Sequence, residues 1–353
     1  MHFDSDYMNI CHPLILKRMA ETQAQSFAGY GTDPLCASAQ EQIRRLCQCP
    51  DAKVFFLTGG TQTNMVVIDA LLRSFEGVIA ADSGHIAIHE SGAIEATGHK
   101  VLPLTPHNGK ITAQQVDRYV TDYYNDPNWE HIVSPGMVYI THPTEYGTLY
   151  SLSELEELSA VCHRHHMPLY LDGARLGYGL AADHTDVDLA DIARLCDAFY
   201  IGGTKCGTMY GEAVVFPDPT RADRFFSHIK RHGALLAKGW IVGMQFDTLL
   251  RRADDPAQYA TTTRDTLYYS ICRHAITQAM RIKQALTNKG YHLYLDSPTN
   301  QQFVTVSLQQ AAEFAKHLTY GQWEPPTGNE VTIRFATSWA TQATDVDKLI
   351  SLL

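Results

Sequence analysis

The feature that most constrains the fold is a regular alternation between residues 53 and 217, where short β-branched or aromatic runs are separated by helix-like segments. Such alternation indicates a mostly parallel sheet with helices packed on both faces. We therefore predict an α/β fold with seven strands at residues 54–57, 77–81, 100–104, 137–140, 169–171, 198–201 and 213–216. Helices are predicted at residues 61–74, 88–96, 112–124, 153–165 and 187–194, two of them starting at the caps Thr112 and Ser153.

The pattern changes after residue 253. Asp254-Asp255-Pro256 interrupts the chain, and a long helix is predicted over residues 259–288, with Gly290 ending it. Strands at residues 291–295, 303–307 and 331–337 follow, with helices at 309–318 and 344–352. A chain of 353 residues exceeds the usual size of one domain. We predict a large α/β domain over residues 1–253, including an N-terminal arm, and a small α+β domain over residues 254–353.

The charge balance narrows the classes of partner. The 28 lysines and arginines stand against 38 aspartates and glutamates, a formal net charge of −10. This disfavours nucleic acid or an anionic membrane as the main partner, while a small anion in a local basic pocket stays compatible. We see no signal peptide, no apolar run long enough to span a bilayer, and no CxxC pair among the eight cysteines. A soluble, cytoplasmic protein is expected.

Three short motifs at predicted strand ends carry candidate chemistry. Leu57-Thr58-Gly59-Gly60-Thr61 leads into a helix, where backbone N–H groups attract an anion; the alternative is a tight turn that binds nothing. Asp172 ends an apolar strand, where open α/β sheets place their ligands, with Arg175 three residues on; the alternative is a backbone cap. Lys205 follows another strand in a small-residue loop. Desolvation makes a lysine nucleophilic, whereas the alternative is a surface side chain.

Together the three motifs suit one cofactor. Pyridoxal phosphate needs an anion cradle, a carboxylate that keeps its pyridine nitrogen protonated, and a lysine that forms a Schiff base with it. The order of these groups along the chain supplies all three. We therefore predict pyridoxal 5'-phosphate as the cofactor.

The chain resembles the threonine aldolase family, closest to its low-specificity threonine aldolase and phenylserine aldolase branch. The resemblance covers nearly the whole chain and rests on these motifs: Asp4-Ser5-Asp6, Tyr30-Gly31-Thr32-Asp33-Pro34, Gly60-Thr61, Ala81-Asp82-Ser83-Gly84-His85, Leu171-Asp172-Gly173-Ala174-Arg175, Thr204-Lys205 and Ile333-Arg334. It implies the type I fold of pyridoxal-phosphate enzymes, with a seven-stranded sheet and a smaller C-terminal α+β domain.

The resemblance also implies roles for individual residues. Lys205 carries the cofactor, Asp172 pairs with its pyridine nitrogen, and His85 stacks on its ring. The residues implied to hold the phosphate and the rest of the cofactor are Gly60, Thr61, Thr204, Arg175, Arg231 and Lys238. The last two are expected to reach the cofactor of a neighbouring subunit, so a homodimer or homotetramer with its active site at the interface follows.

On the substrate side, the resemblance assigns Ser5, Arg175 and Arg334 to the α-carboxylate, with Tyr30 also at the substrate. His142 matches a family histidine near the substrate hydroxyl. His85 and His89 lie four residues apart, but no third ligand accompanies them, so we expect no metal. Pro143-Thr144-Glu145-Tyr146-Gly147 departs from the usual Asn-rich continuation, which leaves the substrate pocket open.

The reaction implied is retro-aldol cleavage of an L-β-hydroxy-α-amino acid to glycine and an aldehyde. His85, His142 or a bound water is the candidate base for the β-hydroxyl. A β-eliminating lyase that releases ammonia and a keto acid is the competing enzyme, because fold alone does not separate the two. A catalytically silent pyridoxal-phosphate protein is the alternative from another class. The aldehyde and the oligomeric state stay open.

Overall fold

The structure, a computed structural model, describes residues 1–353 and contains two sheets. Its twelve strands are β1 (His2–Phe3), β2 (Lys53–Leu57), β3 (Glu76–Ala81), β4 (Val101–Leu104), β5 (Ser134–Thr141), β6 (Leu169–Asp172), β7 (Ala198–Gly202), β8 (Glu212–Phe216), β9 (His292–Leu293), β10 (Gln301–Ser307), β11 (Thr319–Gln322) and β12 (Glu330–Ala336). All seven strands predicted between residues 53 and 217 are confirmed, and the apolar runs of β6, β7 and β8 are buried on both faces.

Thirteen α-helices connect the strands. They are α1 (Pro13–Thr22), α2 (Pro34–Leu46), α3 (Gly60–Leu71), α4 (His85–Ile88), α5 (Ala113–Asn125), α6 (Leu152–Arg164), α7 (Leu176–Ala181), α8 (Leu189–Leu195), α9 (Phe225–Arg231), α10 (Trp240–Leu249), α11 (Leu267–Asn288), α12 (Leu308–Ala315) and α13 (Ala343–Leu352). None of them is both long and apolar enough to cross a bilayer.

The large sheet has the strand order β2-β8-β7-β6-β5-β3-β4, and it is parallel from β7 through β4. Only β8 runs antiparallel to its neighbours β7 and β2. The prediction of a mostly parallel seven-stranded sheet is therefore confirmed. Successive residues point to opposite faces, so Tyr139, Tyr170 and Tyr200 enter one core, whereas Val138 and Leu171 enter the other.

Two helix predictions are wrong in extent. The segment 88–96 contains only the end of α4, turns and a short 3-10 helix, because α4 ends with its C-cap at His89 and the left-handed Ser91 and Gly92, with φ of 51° and 76°, keep a helix from continuing. The long helix predicted from residue 259 begins at Leu267, where the Thr266 hydroxyl caps it, while Tyr259 pairs with Arg251. It does end beside Gly290, whose φ is 76°.

Of the two predicted helix N-caps, one is confirmed and one is wrong. The Thr112 hydroxyl accepts a hydrogen bond from the Gln115 N–H and forms a capping box with it, as predicted. The cap of α6 is not Ser153, which was wrong, but Ser151, whose capping box is completed by Glu154. Ser151 is the cap because Glu154 lies three residues after it, which is the spacing that a capping box requires.

The smaller sheet has the order β1-β11-β12-β10-β9, with β1 parallel to β11 and the other pairs antiparallel. The N-terminal strand therefore joins this sheet, and Phe3 lies in its core. Helix α11 links the two halves of the molecule, because Leu267 and Ile271 pack in the core of the large sheet and Ile282 and Leu286 in that of the smaller one. The domain boundary at residue 254 stays a prediction.

Candidate active site

Four side chains follow the carboxyl ends of adjacent parallel strands of the large sheet. His85 comes after β3, Glu145 after β5, Asp172 ends β6 and Lys205 follows β7. Because these strands run in the same direction, their ends meet at one edge of the sheet. A cavity of about 580 Å³ opens there, and its lining includes His85, Glu145, Arg175, Lys205 and Arg334. Residues far apart in the sequence are thus brought together.

Asp172 is buried, and four donors of the chain contact its carboxylate. Oδ1 accepts hydrogen bonds from the Tyr200 hydroxyl at 2.5 Å and the Ala174 N–H at 2.9 Å. Oδ2 accepts from the Tyr139 hydroxyl at 2.7 Å and the Asn64 amide at 2.9 Å. Burial opposes ionisation, but His85 and these donors outweigh it and lower the pKa of Asp172. The carboxylate is therefore held ionised.

The donors around Asp172 were not predicted from the sequence, although a pattern points to them. Strand residues of like parity share a face, and Asp172 lies on the face of Tyr139, Tyr170 and Tyr200. Asn64 comes one helical turn into α3, and its side-chain oxygen accepts a hydrogen bond from the Tyr170 hydroxyl at 2.9 Å. The Asn64 side chain therefore links the Asp172 carboxylate to the Tyr170 hydroxyl.

Lys205 lines the cavity, and burial together with the nearby Arg175 guanidinium lowers its pKa. The Tyr178 hydroxyl donates to the Lys205 carbonyl at 2.6 Å, which anchors the backbone of the loop. The residue that follows β6 approaches β7 closely, because a Cβ on Gly173 would lie 1.8 Å from the Tyr200 carbonyl oxygen. Only glycine fits there, so the strand ends that carry Asp172 and Lys205 can lie side by side.

Glu212, at the start of β8, is a further buried carboxyl beside the lysine loop. Its Oε2 accepts a hydrogen bond from the Gly203 N–H at 2.9 Å, and the Thr204 hydroxyl lies beside it. Burial outweighs these contacts and the nearby Lys205 charge, and it raises the pKa of Glu212 to about 7. Nothing in the sequence motifs singled this residue out.

His85 is fixed by two glutamates. Its Nδ1 donates to Glu90 Oε1 at 2.7 Å, and its backbone N–H donates to Glu145 Oε1 at 2.8 Å. Glu90 Oε1 also accepts from the Asn64 amide at 2.8 Å, so Asn64 bridges Glu90 and Asp172. Burial and the neighbouring His85 lower the pKa of His89, whose ring lies 5.6 Å from that of His85.

The two predicted arginines both line the cavity but have different partners. Arg175 forms a bidentate pair with Asp6, with Nε donating at 2.7 Å and Nη2 at 3.0 Å. Burial opposes ionisation of Asp6, yet Arg175 and Lys205 lower its pKa to about 2. Arg334 donates to the Gln301 amide oxygen and the Asp4 carbonyl, at 2.9 and 2.7 Å. Asp6 is a site residue that the sequence reasoning missed.

Several buried polar atoms near the cavity have no partner in the chain. They are Ser5 Oγ, Ser83 Oγ, Trp323 Nε1 and Arg334 Nε. Ser83, Trp323 and Arg334 line the cavity directly, and Ser5 adjoins Asp4, which Arg334 contacts. Because buried polar groups are normally hydrogen-bonded, this set of donors indicates a ligand with several acceptor oxygens.

The predicted anion cradle lies beside Asp172. Gly60 begins α3, and a Cβ on it would lie 3.2 Å from the Tyr200 hydroxyl that donates to Asp172. A side chain on Gly59 would extend into open space, so the helix N-terminus is accessible to an anion. Thr61 follows on the exposed side, and the Thr204 hydroxyl accepts from the Gly211 N–H at 3.0 Å.

The remaining predicted residues lie elsewhere. His142 is fully buried outside the cavity lining, where its Nδ1 accepts from the Tyr150 N–H at 3.3 Å; burial and the Lys110 charge lower its pKa to about 4. Arg231 donates to Asp69 at 3.0 Å. Tyr30 and Lys238 are exposed at a separate surface, where the Tyr30 N–H donates to the carbonyl of residue 237.

Comparisons with known proteins agree on one family. Residues 3–292 match the family model described as beta-eliminating lyase. A low specificity L-threonine aldolase of Pseudomonas aeruginosa is 34% identical over 262 residues, which cover 71% of this chain and 74% of that protein. The solved structure of Leishmania major threonine aldolase matches with a TM-score of 0.92 at 38% identity, covering 99% of this chain and 98% of that one. Thermus thermophilus aspartate aminotransferase shares the fold, with a TM-score of 0.71 at 14% identity over 99% and 90% of the two chains.

Proposed function

Because the chain belongs to the beta-eliminating lyase family and, within it, to the threonine aldolases, we propose that it cleaves L-β-hydroxy-α-amino acids to glycine and an aldehyde. Threonine, allo-threonine and phenylserine represent the substrate class. The chain is a carbon–carbon lyase with the type I fold of pyridoxal-phosphate enzymes. The observation that carries the proposal is the convergence of an ionised Asp172 and a Lys205 of lowered pKa at neighbouring strand ends.

The cofactor is pyridoxal 5'-phosphate, and the residues present fit it. The ionised Asp172 suits a protonated pyridine nitrogen, whose charged N–H competes for the carboxylate with the neutral phenols of Tyr139 and Tyr200. The open N-terminus of α3 at Gly60 and Thr61 suits the phosphate. When bound, the cofactor supplies an electron sink that stabilises negative charge at the substrate Cα.

The residues of the chain bind the cofactor, bind the substrate and transfer protons. Lys205, whose pKa is lowered by burial and by the Arg175 charge, would hold the cofactor covalently and would later donate a proton to Cα. Ser5 and Arg334 offer unpartnered donors to the substrate carboxylate, and Arg175 adds positive charge while Asp6 holds its guanidinium in place. His85, fixed through Nδ1 by Glu90, presents its ring to the cofactor.

The same proposal includes a homodimer or homotetramer with the active site at a subunit interface. Tyr30, Arg231 and Lys238 support it, because they lie away from the cavity and carry exposed side chains able to reach a second copy. The eight free cysteines fit a reducing compartment, so we place the protein in the cytoplasm.

Product analysis tests the proposed function. Purified protein with added pyridoxal phosphate is offered L-threonine, L-allo-threonine and L-phenylserine, and the products are quantified. Equal amounts of glycine and the matching aldehyde are expected, and the three rates rank the substrates. A keto acid with ammonia would instead identify the β-eliminating reaction, and Lys205→Ala should abolish either. Full turnover in Lys205→Ala would contradict the assignment of the lysine.

A further inference from the structure

One buried carboxyl group that lines the cavity has no chemical role in the proposed function. Glu145 follows β5, is 6% exposed and lines the cavity together with Lys205, Arg175 and Arg334. Its Oε1 accepts hydrogen bonds from the His85 N–H and the Thr141 hydroxyl, each at 2.8 Å. Its Oε2 accepts no hydrogen bond from any side chain or backbone group of the chain. This oxygen is therefore accessible from the cavity, and without a donor in the chain it is available to a substrate hydroxyl.

The histidines nominated from the sequence are less suited to receive a proton from the substrate. His142 is buried outside the cavity lining and hydrogen-bonded to the Tyr150 backbone. His85 lines the cavity, but its Nδ1 donates to Glu90 and its ring is assigned to the cofactor face. Glu145 is therefore the group in the cavity that combines burial, an unpartnered oxygen and no other assignment.

We propose that Glu145 is the base that accepts the β-hydroxyl proton of the substrate during Cα–Cβ cleavage. The inference rests on the proposed function and names a catalytic residue for it. The Glu145 carboxylate takes the proton as the O–H bond breaks. The electron pair of that bond forms the C=O bond of the aldehyde, and the pair of the Cα–Cβ bond stays on the glycine Cα. Protonation of Cα by Lys205 and release of the proton from Glu145 restore the starting state.

The electrostatic surroundings agree with this role. Burial is the main cause that raises the pKa of Glu145, and the Asp172 charge adds to it, while its hydrogen bonds oppose both. A raised pKa brings a carboxyl nearer to the pH at which it exchanges protons efficiently. The titratable and charged groups that act on it from the surrounding elements are His85, Tyr139, Tyr146, Tyr150, Asp172 and Arg175.

The test compares Glu145→Gln with wild type and with Glu95→Gln. The glutamine keeps an oxygen that accepts from His85 and Thr141 but cannot take a proton. Glu95→Gln makes the same charge change at an exposed residue outside the cavity. We expect Glu145→Gln to lower kcat for L-phenylserine about 10³-fold and to remove the acid limb of the kcat/KM profile, whereas Glu95→Gln changes neither.

Two readouts on glycine separate a catalytic role from a structural one. Glycine has no β-hydroxyl, so its dissociation constant, measured from the visible absorbance of the holoenzyme, should stay within about twofold in Glu145→Gln. Exchange of its α-proton with deuterium, followed by NMR, should also persist.

Cleavage by Glu145→Gln at near wild-type rate would overturn the proposal, as would loss of glycine binding and exchange together with cleavage. A selective loss of cleavage in His85→Asn, with Glu145→Gln active, would assign the base to His85. If Glu145→Gln does not fold, Glu145→Asp and Glu145→Ala replace it. We expect Glu145→Asp to keep the acid limb of the kcat/KM profile and Glu145→Ala to lose it. Identical pH profiles in these two variants would contradict the role of Glu145 as the base. Wild type that yields no glycine and aldehyde would refute the proposed function itself.

Discussion

Two buried carboxyl groups stand at adjacent strand ends of the large sheet, and the chain solvates them differently. Asp172 accepts four hydrogen bonds, two on each oxygen. Glu145 follows the strand whose Thr141 pairs with Asp172, and it accepts two, both on one oxygen. Burial raises the pKa of either group, but the donors and His85 reverse the shift only at Asp172.

The difference shows that the donors and the neighbouring His85, and not burial alone, decide what a buried carboxyl can do. A carboxylate held ionised by four donors suits a permanent cationic partner, such as a protonated ring nitrogen. A carboxyl with a raised pKa and one oxygen left over suits proton transfer. Adjacent positions of one sheet edge thus supply a cofactor anchor and a candidate base.

The largest effect is expected from removing the charge of Asp172. Asp172→Asn leaves a neutral amide that cannot balance a pyridinium and places an NH₂ group against the donors Asn64 and Tyr139. Losing one partner of a buried charge pair costs about 4 kcal/mol, so kcat should fall about 10³-fold at saturating cofactor. Steady-state kinetics on L-threonine measure this. An unchanged kcat would show that the four hydrogen bonds to Asp172 stabilise the fold but do not contribute to catalysis.

Glu212 extends the comparison to a third buried carboxyl with few donors. Its pKa is raised to about 7 from an ordinary 4.5, so the folded state keeps a proton that the unfolded chain has released. Stability is therefore fully present below about pH 4.5 and declines as the pH rises through about 7. Glu212→Gln removes this dependence and should stabilise the protein by on the order of 3 kcal/mol at pH 8.

Chemical denaturation of wild type and Glu212→Gln at pH 5 and pH 8 checks this expectation. The difference in the free energy of unfolding should be small at the lower pH and large at the higher one. Equal differences at both values would mean that Glu212 stays ionised throughout, and that donor number does not set its protonation.

A smaller effect is expected from one of the two donors of Glu145. Thr141→Val keeps the shape of the side chain but removes the hydroxyl that donates to Oε1, which raises the pKa of Glu145 further. A hydrogen bond to a charged group contributes about 1.5 kcal/mol, so kcat/KM at pH 6 should fall by up to about tenfold while the plateau at high pH changes little. The pH profile of kcat/KM for L-phenylserine checks this. A uniform loss at every pH would point to a packing defect instead.

The sequence predicted the large sheet well because its strands are short, apolar and mostly separated by helices. It failed where a local conformation decides, as at Ser91 and Gly92, whose left-handed backbone keeps a helix from continuing after α4. Helix α11 begins late because Thr266 caps it, while Tyr259 before it pairs with Arg251. The helix-like sequence pattern from residue 259 onward does not reveal that Tyr259 forms a β-bridge with Arg251.

The site was predictable where one strand end carries the chemistry, as for Asp172 and Lys205. Tyr139 and Tyr200 could have been inferred from strand parity, but only once the register of β5, β6 and β7 was known. The role of Asp6 could not have been inferred from the sequence, because it pairs with Arg175, which lies 169 positions further along the chain. The roles of the site residues stay predictions until the variants are measured.

Asp172 is assigned to cofactor binding and Glu145 to proton transfer, and cofactor affinity separates the two roles. The dissociation constant of pyridoxal phosphate is measured by titrating wild type, Asp172→Asn and Glu145→Gln and following the visible absorbance. We expect the constant to rise at least about tenfold in Asp172→Asn and to stay within about twofold in Glu145→Gln. Equal weakening in both variants, or a larger loss in Glu145→Gln, would contradict the account.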